Sequence, residues 1–244
     1  MTATEREASA GARIVVWPEA GGAAREADRQ RLIDAIAAVA VRTGSYVDAG
    51  LIVITGAPPY MRNETVLVDP NGRARWTYEK ARPVPGMDPF APGDGRVPTA
   101  DTPFGRLANV ICFDADFPAL MRQAADVDLM LVPSNDWYGF GATHTEKAAV
   151  RAVENGYSLI RQAGNGLAAV FDPQGRTLTS ADYFTTRQQT MAAYVPVASD
   201  PTIYARIGDV FAWLCLAAMA VLGAVAMRTR RPTVTPPPTG PEGS

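Results

Sequence analysis

Histidine occurs once in this chain, at His144, and cysteine only twice, at Cys112 and Cys215. A histidine-based metal cluster is therefore excluded, and two cysteines so far apart in sequence cannot build a zinc knuckle. No metal and no cofactor is expected. Cys215 lies inside an apolar stretch, which argues against a disulfide with Cys112. An excess of positive charge is missing as well. The formal net charge is −2 and no basic stripe runs along the sequence, so no nucleic-acid partner is expected. Residues 1–12 are small and polar, show no periodicity and lack the apolar core of a signal peptide, so they are expected to be disordered.

Apolar residues make up 47% of the chain, enough for one ordinary core with appendages. Two short aliphatic runs end in polar clusters: Val110-Ile111-Cys112 before Phe113-Asp114, and Leu131-Val132-Pro133 before Ser134-Asn135-Asp136. Both read as buried strands. Further strands are expected over 13–17, 51–54, 158–160, 167–171 and 191–197. A hairpin is expected where Asp69-Pro70-Asn71-Gly72 joins 65–68 to 75–78. Helices are expected over 24–42, where Leu32, Ile33, Ile36 and Val39 share a face and Gly44 follows as a stop, and over 118–125 and 143–154. Alternating helices and strands followed by hairpins give a layered α/β class. In such sheets ligands gather beyond the carboxyl ends of the strands, which is where Cys112 falls. The loop 83–98 is rich in proline and glycine, holds Asp88, and reads as a lid or pocket wall.

From Val210 to Met227 no charged residue occurs, and Arg228, Arg230 and Arg231 follow at once. At a rise of about 1.5 Å per residue the run reaches roughly the thickness of a bilayer's hydrocarbon core. It reads as a transmembrane helix rather than a core helix, because no face of it is polar. The expected organisation is a disordered 1–12, a catalytic domain over 13–200, a membrane helix over 203–228 and a disordered, proline-rich 229–244.

Three reactive residues follow three strands: Glu19, Lys80 and Cys112. A thiol attacks only as thiolate, so it needs a base or a neighbouring cation. A glutamate can take the proton, and a lysine can steady both the thiolate and a developing oxyanion. The N–H of Phe113 can act as a second oxyanion donor. Each residue also has a plain reading: a loop carboxylate, a solvated strand end, a small buried hydrophobe. His144 reads as a structural or pocket-edge residue. Trp137, Tyr138, Tyr183 and Phe184 read either as core or as the lining of an acyl channel.

The motifs Trp17-Pro18-Glu19, Tyr78-Glu79-Lys80 with Val84-Pro85, and Ile111-Cys112-Phe113-Asp114 with Phe117-Pro118 resemble the three signatures of the nitrilase (carbon–nitrogen hydrolase) superfamily. Ser134-Asn135-Asp136-Trp137, His144, Arg151-Ala152-Val153-Glu154-Asn155-Gly156, Arg161 and Asn165-Gly166 bring the resemblance closest to the apolipoprotein N-acyltransferase branch. The resemblance implies an α-β-β-α sandwich and a Glu19-Lys80-Cys112 triad working through an acyl thioester. It implies supporting roles for Asp88, Phe113 and Asp114, and a substrate pocket holding Asn135, Trp137 and His144. Asp88 and Asp114 stand where the acyltransferase has glutamates, each one methylene shorter. The implied partners are a membrane, a phospholipid acyl donor and a lipoprotein or other amine acceptor. The family's first strand and helix, and the transmembrane helices before them, have no counterpart ahead of Trp17-Pro18-Glu19, so upstream helices or a partner chain are expected to complete the protein. A membrane-anchored amidase using water, and an inactive interaction module, are the alternatives. The arginines after the apolar run favour a cytoplasmic tail and an extracytoplasmic catalytic domain.

Overall fold

The structure is a computed structural model that describes residues 2–186, 190–197 and 202–229. It divides into two units, Met1–Arg206 and Ile207–Ser244. In the first, α1 (Thr2–Ser9) leads into β1 (Ile14–Val16), β2 (Gly22–Arg25), α2 (Arg29–Thr43), β3 (Tyr46–Ile54) and a hairpin of β4 (Met61–Val68) and β5 (Ala74–Glu79). A second hairpin, β6 (Thr99–Thr102) and β7 (Gly105–Asn109), precedes a 3-10 turn at Cys112–Asp116 and α3 (Pro118–Met121). Then come β8 (Leu129–Ser134), α4 (Gly141–Asn155), β9 (Ser158–Ala163), β10 (Leu167–Phe171) and β11 (Thr177–Asp182).

Strands β1 to β5 make one sheet, with β1 and β2 end to end along the same edge of β3. The other sheet runs β11-β10-β9-β8-β7-β6. Side-chain alternation along β3 and β4 explains the layering. Val47, Ala49, Leu51, Val66 and Val68 face α2, meeting its Ile33, Ile36 and Ala40. Burial of each such aliphatic side chain contributes about 1.5–3 kcal/mol. The alternate residues Tyr46 and Leu67 face the second sheet and join its Leu107, Leu129 and Leu131 in the central core. Helix α4 covers the far side, packed on β9 and β10. The result is the nitrilase-like α-β-β-α sandwich that the sequence resemblance implied. Strands β7, β8 and β9 run parallel, so the carboxyl ends of β7 and β8 open on the same side as Cys112.

Several expectations are corrected. Residues within 1–12 form α1, whose Ala8 is buried and whose Thr4 accepts a hydrogen bond from Trp17 Nε1 at 2.9 Å. A helix therefore does precede the Glu19 strand. Helix α2 begins later than periodicity implied, because Ala24 and Arg25 extend β2 against β3. Gly44 does stop it, at φ 66° as a left-handed cap. Strands β2, β6 and β11 were missed; all are short, lie at sheet edges and hold no run of large apolar residues. The strand expected over 191–197 is not formed: these residues are irregular chain without sheet pairing. Val110 and Ile111 lie beyond β7 rather than within it. The helix expected over 203–228 is two, α5 (Ile203–Ile207) and α6 (Val210–Thr229), separated by Gly208 and Asp209. Of the tail expected over 229–244, Thr229 ends α6, and the remainder lies outside the described residues. Helix α6 is 20 residues long with a mean hydropathy of 2.4, long and apolar enough to cross a membrane.

A buried polar chain links the two sheets. Thr65 Oγ1 donates to Asn109 Oδ1 at 2.6 Å, and Asn109 Nδ2 donates to Asp48 Oδ2 at 2.8 Å. Burial pushes the Asp48 carboxyl up to about 7, hydrogen bonding offsetting only part of the effect. An aspartate in the unfolded chain titrates near ~3.9, so the folded state holds this proton more tightly. The stability it carries is complete below the unfolded value and is lost as pH rises to about 7. Asp48→Asn is expected to remove that slope, so thermal melts between these two pH values become flatter than those of the parent protein. A slope left unchanged by the substitution would contradict this account.

Candidate functional site

Glu19, Lys80 and Cys112 line one cavity of about 420 Å³. Each is delivered by a different piece of the fold. Glu19 sits in the tight connection after β1, its N–H donating to the carbonyl of Ser134 at the end of β8, 3.3 Å away. That connection passes so close to β3 that a Cβ on Gly50 would overlap the carbonyl oxygen of Pro18. Gly50 is thus required by close approach, a role invisible in the sequence. Lys80 follows β5, and its N–H donates to the carbonyl of Asn63 on β4 at 2.9 Å.

Lys80 is one of only two lysines in the chain, and it is 2% exposed. Its ammonium is held by two carboxylates, Glu19 Oε1 at 2.9 Å and Asp88 Oδ2 at 2.7 Å. Burial acts to lower its pKa, but Glu19, Cys112 and Asp88 outweigh burial and hold it above the ordinary lysine value. Lys80 therefore stays charged across the physiological range. Asp88 is itself fixed by the N–H of Val84 at 2.9 Å. The loop 83–98 also brings Val84, Met87 and Phe90 to the cavity, so it forms a wall of the pocket. Asn63, which sequence reading missed, donates from Nδ2 to Glu19 Oε1 at 2.6 Å. Its only sequence signal is a polar residue on the inward face of a strand.

Cys112 adopts φ 48°, a left-handed conformation that costs a non-glycine residue about 1–2 kcal/mol. It opens the 3-10 turn, where the first N–H groups have no partner inside the helix; the N–H of Phe113 is among them. The thiol lies 3.6 Å from the carbonyl oxygen of Asn135. Burial, reinforced by the negative charge of Glu19, pushes its pKa well up. At neutral pH the sulfur thus keeps its proton until a base takes it.

Asp114 is not a cavity residue. It is fully buried and braces two segments, accepting from Tyr78 Oη at 2.8 Å, the N–H of Arg82 at 2.7 Å and the N–H of Ile111 at 3.0 Å. Phe113, Asn135, Trp137 and His144 all line the cavity. His144 Nδ1 lies 3.1 Å from Asp116 Oδ1, and Asp116 Oδ2 also accepts from Lys147 at 2.7 Å. Trp137, Tyr138, Phe140, Tyr183 and Phe184 are exposed rather than core, Trp137 against Phe140 and Phe184 against Tyr138 and Tyr183; of these, Trp137 and Phe140 reach the cavity.

The family model for carbon-nitrogen hydrolase matches residues 1–199. The chain belongs to the carbon–nitrogen hydrolase family. Among similar curated proteins is the apolipoprotein N-acyltransferase of Geobacter metallireducens, 27% identical, the match covering 89% of this chain and 46% of that one. The apolipoprotein N-acyltransferase of Bradyrhizobium diazoefficiens is 30% identical, over 90% of this chain and 46% of that one. The chain thus spans about half the length of these relatives. Among solved structures, an amidase from Nesterenkonia sp. superposes with a TM-score of 0.64 at 22% identity, covering 74% of this chain and 77% of its own. At that identity the likeness concerns the fold.

The Gly50 contact makes a direct test of how this carbon–nitrogen hydrolase places Glu19. Gly50→Ala is expected to displace the Pro18-Glu19 connection and to destabilise the fold by about 1–3 kcal/mol, the usual cost of overpacking. Chemical denaturation of parent and variant checks this, and equal unfolding midpoints would show that the close approach is not constraining.

Proposed function

We propose that the chain is the catalytic part of a membrane-bound N-acyltransferase, taking an acyl chain from a phospholipid and delivering it to the amine of a lipoprotein. The observation that carries the chemistry is the Lys80 ammonium lying between Glu19 and Asp88 in the cavity that also holds the Cys112 thiol. Glu19 takes the thiol proton as Sγ attacks the ester carbonyl. Lys80 and the Phe113 N–H stabilise the oxyanion. Collapse of that intermediate expels the lysophospholipid alcohol, which receives its proton from Glu19, and leaves a thioester on Cys112. The acceptor amine then attacks, Glu19 removes its proton, the amide forms and the thiol is restored. Asp88 orients Lys80. Asp114 fixes the turn that presents Cys112, and Asn135, Trp137 and His144 shape the substrate's seat.

The choice of acyl transfer over hydrolysis rests on the relatives named as apolipoprotein N-acyltransferases and on the apolar helix α6. Arg228 at the end of α6, with Arg230 and Arg231 beyond it, supports a tail in the cytoplasm and a catalytic domain outside. The assembled carboxylates, ammonium and thiol argue against an inactive interaction module.

Full-length protein in phospholipid nanodiscs, given a lipopeptide with a free amino terminus, is expected to yield the N-acylated peptide and lysophospholipid in equal amounts. Free fatty acid in place of acylated peptide would make water the acceptor and the protein a hydrolase. Glu19→Gln and Lys80→Met are each expected to lower turnover by about 10²–10⁴-fold, with the double variant little worse than either single one. Single-turnover rates showing multiplicative losses would mean that the two residues act separately.

A further inference from the structure

An ion pair beside the thiol takes no part in the steps above. Arg161, on β9, is fully buried, and Asp136, just beyond β8, is 5% exposed. The guanidinium grips the carboxylate twice, Nη1 to Oδ2 at 2.7 Å and Nη2 to Oδ1 at 3.1 Å. Nη1 also donates to Thr145 Oγ1 at 3.2 Å. A buried pair of this kind stabilises a fold only weakly, because desolvating two charges offsets their attraction. Its position points to a different use. Asn135 precedes Asp136, and the Asn135 carbonyl oxygen faces the Cys112 sulfur. Asn165 fastens the same stretch, donating its N–H to Asn135 Oδ1 at 3.1 Å and accepting the Asp136 N–H at 3.2 Å. Trp137, the next residue, lines the cavity.

We propose that Arg161 and Asp136 are a positioning pair for Cys112, holding residues 135–137 against the thiol and so governing how readily the sulfur reacts. The proposal rests on Cys112 being the nucleophile and is independent of the acyl donor and acceptor. The charges acting on the thiol are those of Glu19, Lys80, Arg161 and Asp136, with Asp88 and His144 also on the cavity wall. Burial, the largest cause, and Glu19 raise the thiol's pKa; Arg161 and Lys80 lower it, and Asp136 raises it. The two partners therefore act together on the loop but with opposite sign on the sulfur. A purely structural pair would do similar damage whichever member is changed.

The test is the rate at which iodoacetamide alkylates Cys112 as pH is varied. It is followed by mass spectrometry on the full chain in detergent with Cys215→Ala as background. It needs no acyl donor, so it can be read whether or not the acyltransferase reading holds. Asp136→Asn keeps the side chain's shape and leaves the Arg161 charge uncompensated. It is expected to move the alkylation profile to lower pH and to raise the rate near about pH 8 by about tenfold, the thiolate gain for one pKa unit. Arg161→Met is expected to move the profile the other way and slow alkylation by a similar factor, with Arg161→Lys recovering part of the loss. Should Arg161→Met fail to fold, Asp136→Asn and Arg161→Lys still decide. An Asp136→Asn profile that is unmoved or displaced to higher pH overturns the proposal, as do shifts of the same sign in both partners.

Discussion

The main cavity of this molecule depends on a lysine ammonium placed where water scarcely reaches it. An isolated charge in that position costs several kcal/mol, and Lys80 is kept there by carboxylates on either side, Glu19 and Asp88. That requirement ties together three segments distant in sequence: the connection after β1, the end of the β4–β5 hairpin, and the loop 83–98. It also sets the local charge. Burial above all, with the negative charge of Glu19, keeps the neighbouring thiol protonated. In the proposed mechanism attack by Cys112 is therefore coupled to proton removal by Glu19, which is already bonded to Lys80.

Holding the sulfur at the right spot costs conformational energy. Cys112 is forced into a left-handed backbone, and such strain persists only where the surroundings over-determine it. Asp114 supplies much of that determination. One buried carboxylate clamps the N–H of Ile111, just before Cys112, to the N–H of Arg82, just past Lys80. Burial raises the Asp114 pKa while its four hydrogen bonds act to lower it. The two halves of the site are thereby braced against each other without Asp114 entering the cavity.

Much of this was legible in the sequence. The aliphatic runs around Leu51, Leu131 and Val170 are buried on both faces, so their composition alone marked them as strands. Glu19 and Cys112 stood out as candidates because each follows an aliphatic run, and Lys80 because it follows a strand of alternating burial. What escaped was of two kinds. Short edge strands such as β2 and β11 carry alanine, serine and threonine, and gain their structure from pairing rather than from burial, so no periodicity reveals them. Residues whose role is geometric are hard to find, since their partners are many residues away: Gly50 against Pro18 leaves no sequence signal, and Asn63 on Glu19 leaves only a polar residue on the inward face of a strand. The start of α2 was misplaced for a related reason: Ala24 and Arg25 suit a helix locally, but the free edge of β3 captures them.

The central claim is that Cys112 carries an acyl group between donor and acceptor. The most direct measurement is the intact mass of the Cys215→Ala protein after incubation in phospholipid nanodiscs without any amine. The account predicts one added acyl chain, mapped to Cys112 by peptide digestion, cleaved by hydroxylamine as a thioester must be, and discharged when an amine acceptor is supplied. A protein that acylates the amine while never carrying the acyl mass, or that carries it on another residue, would contradict the account.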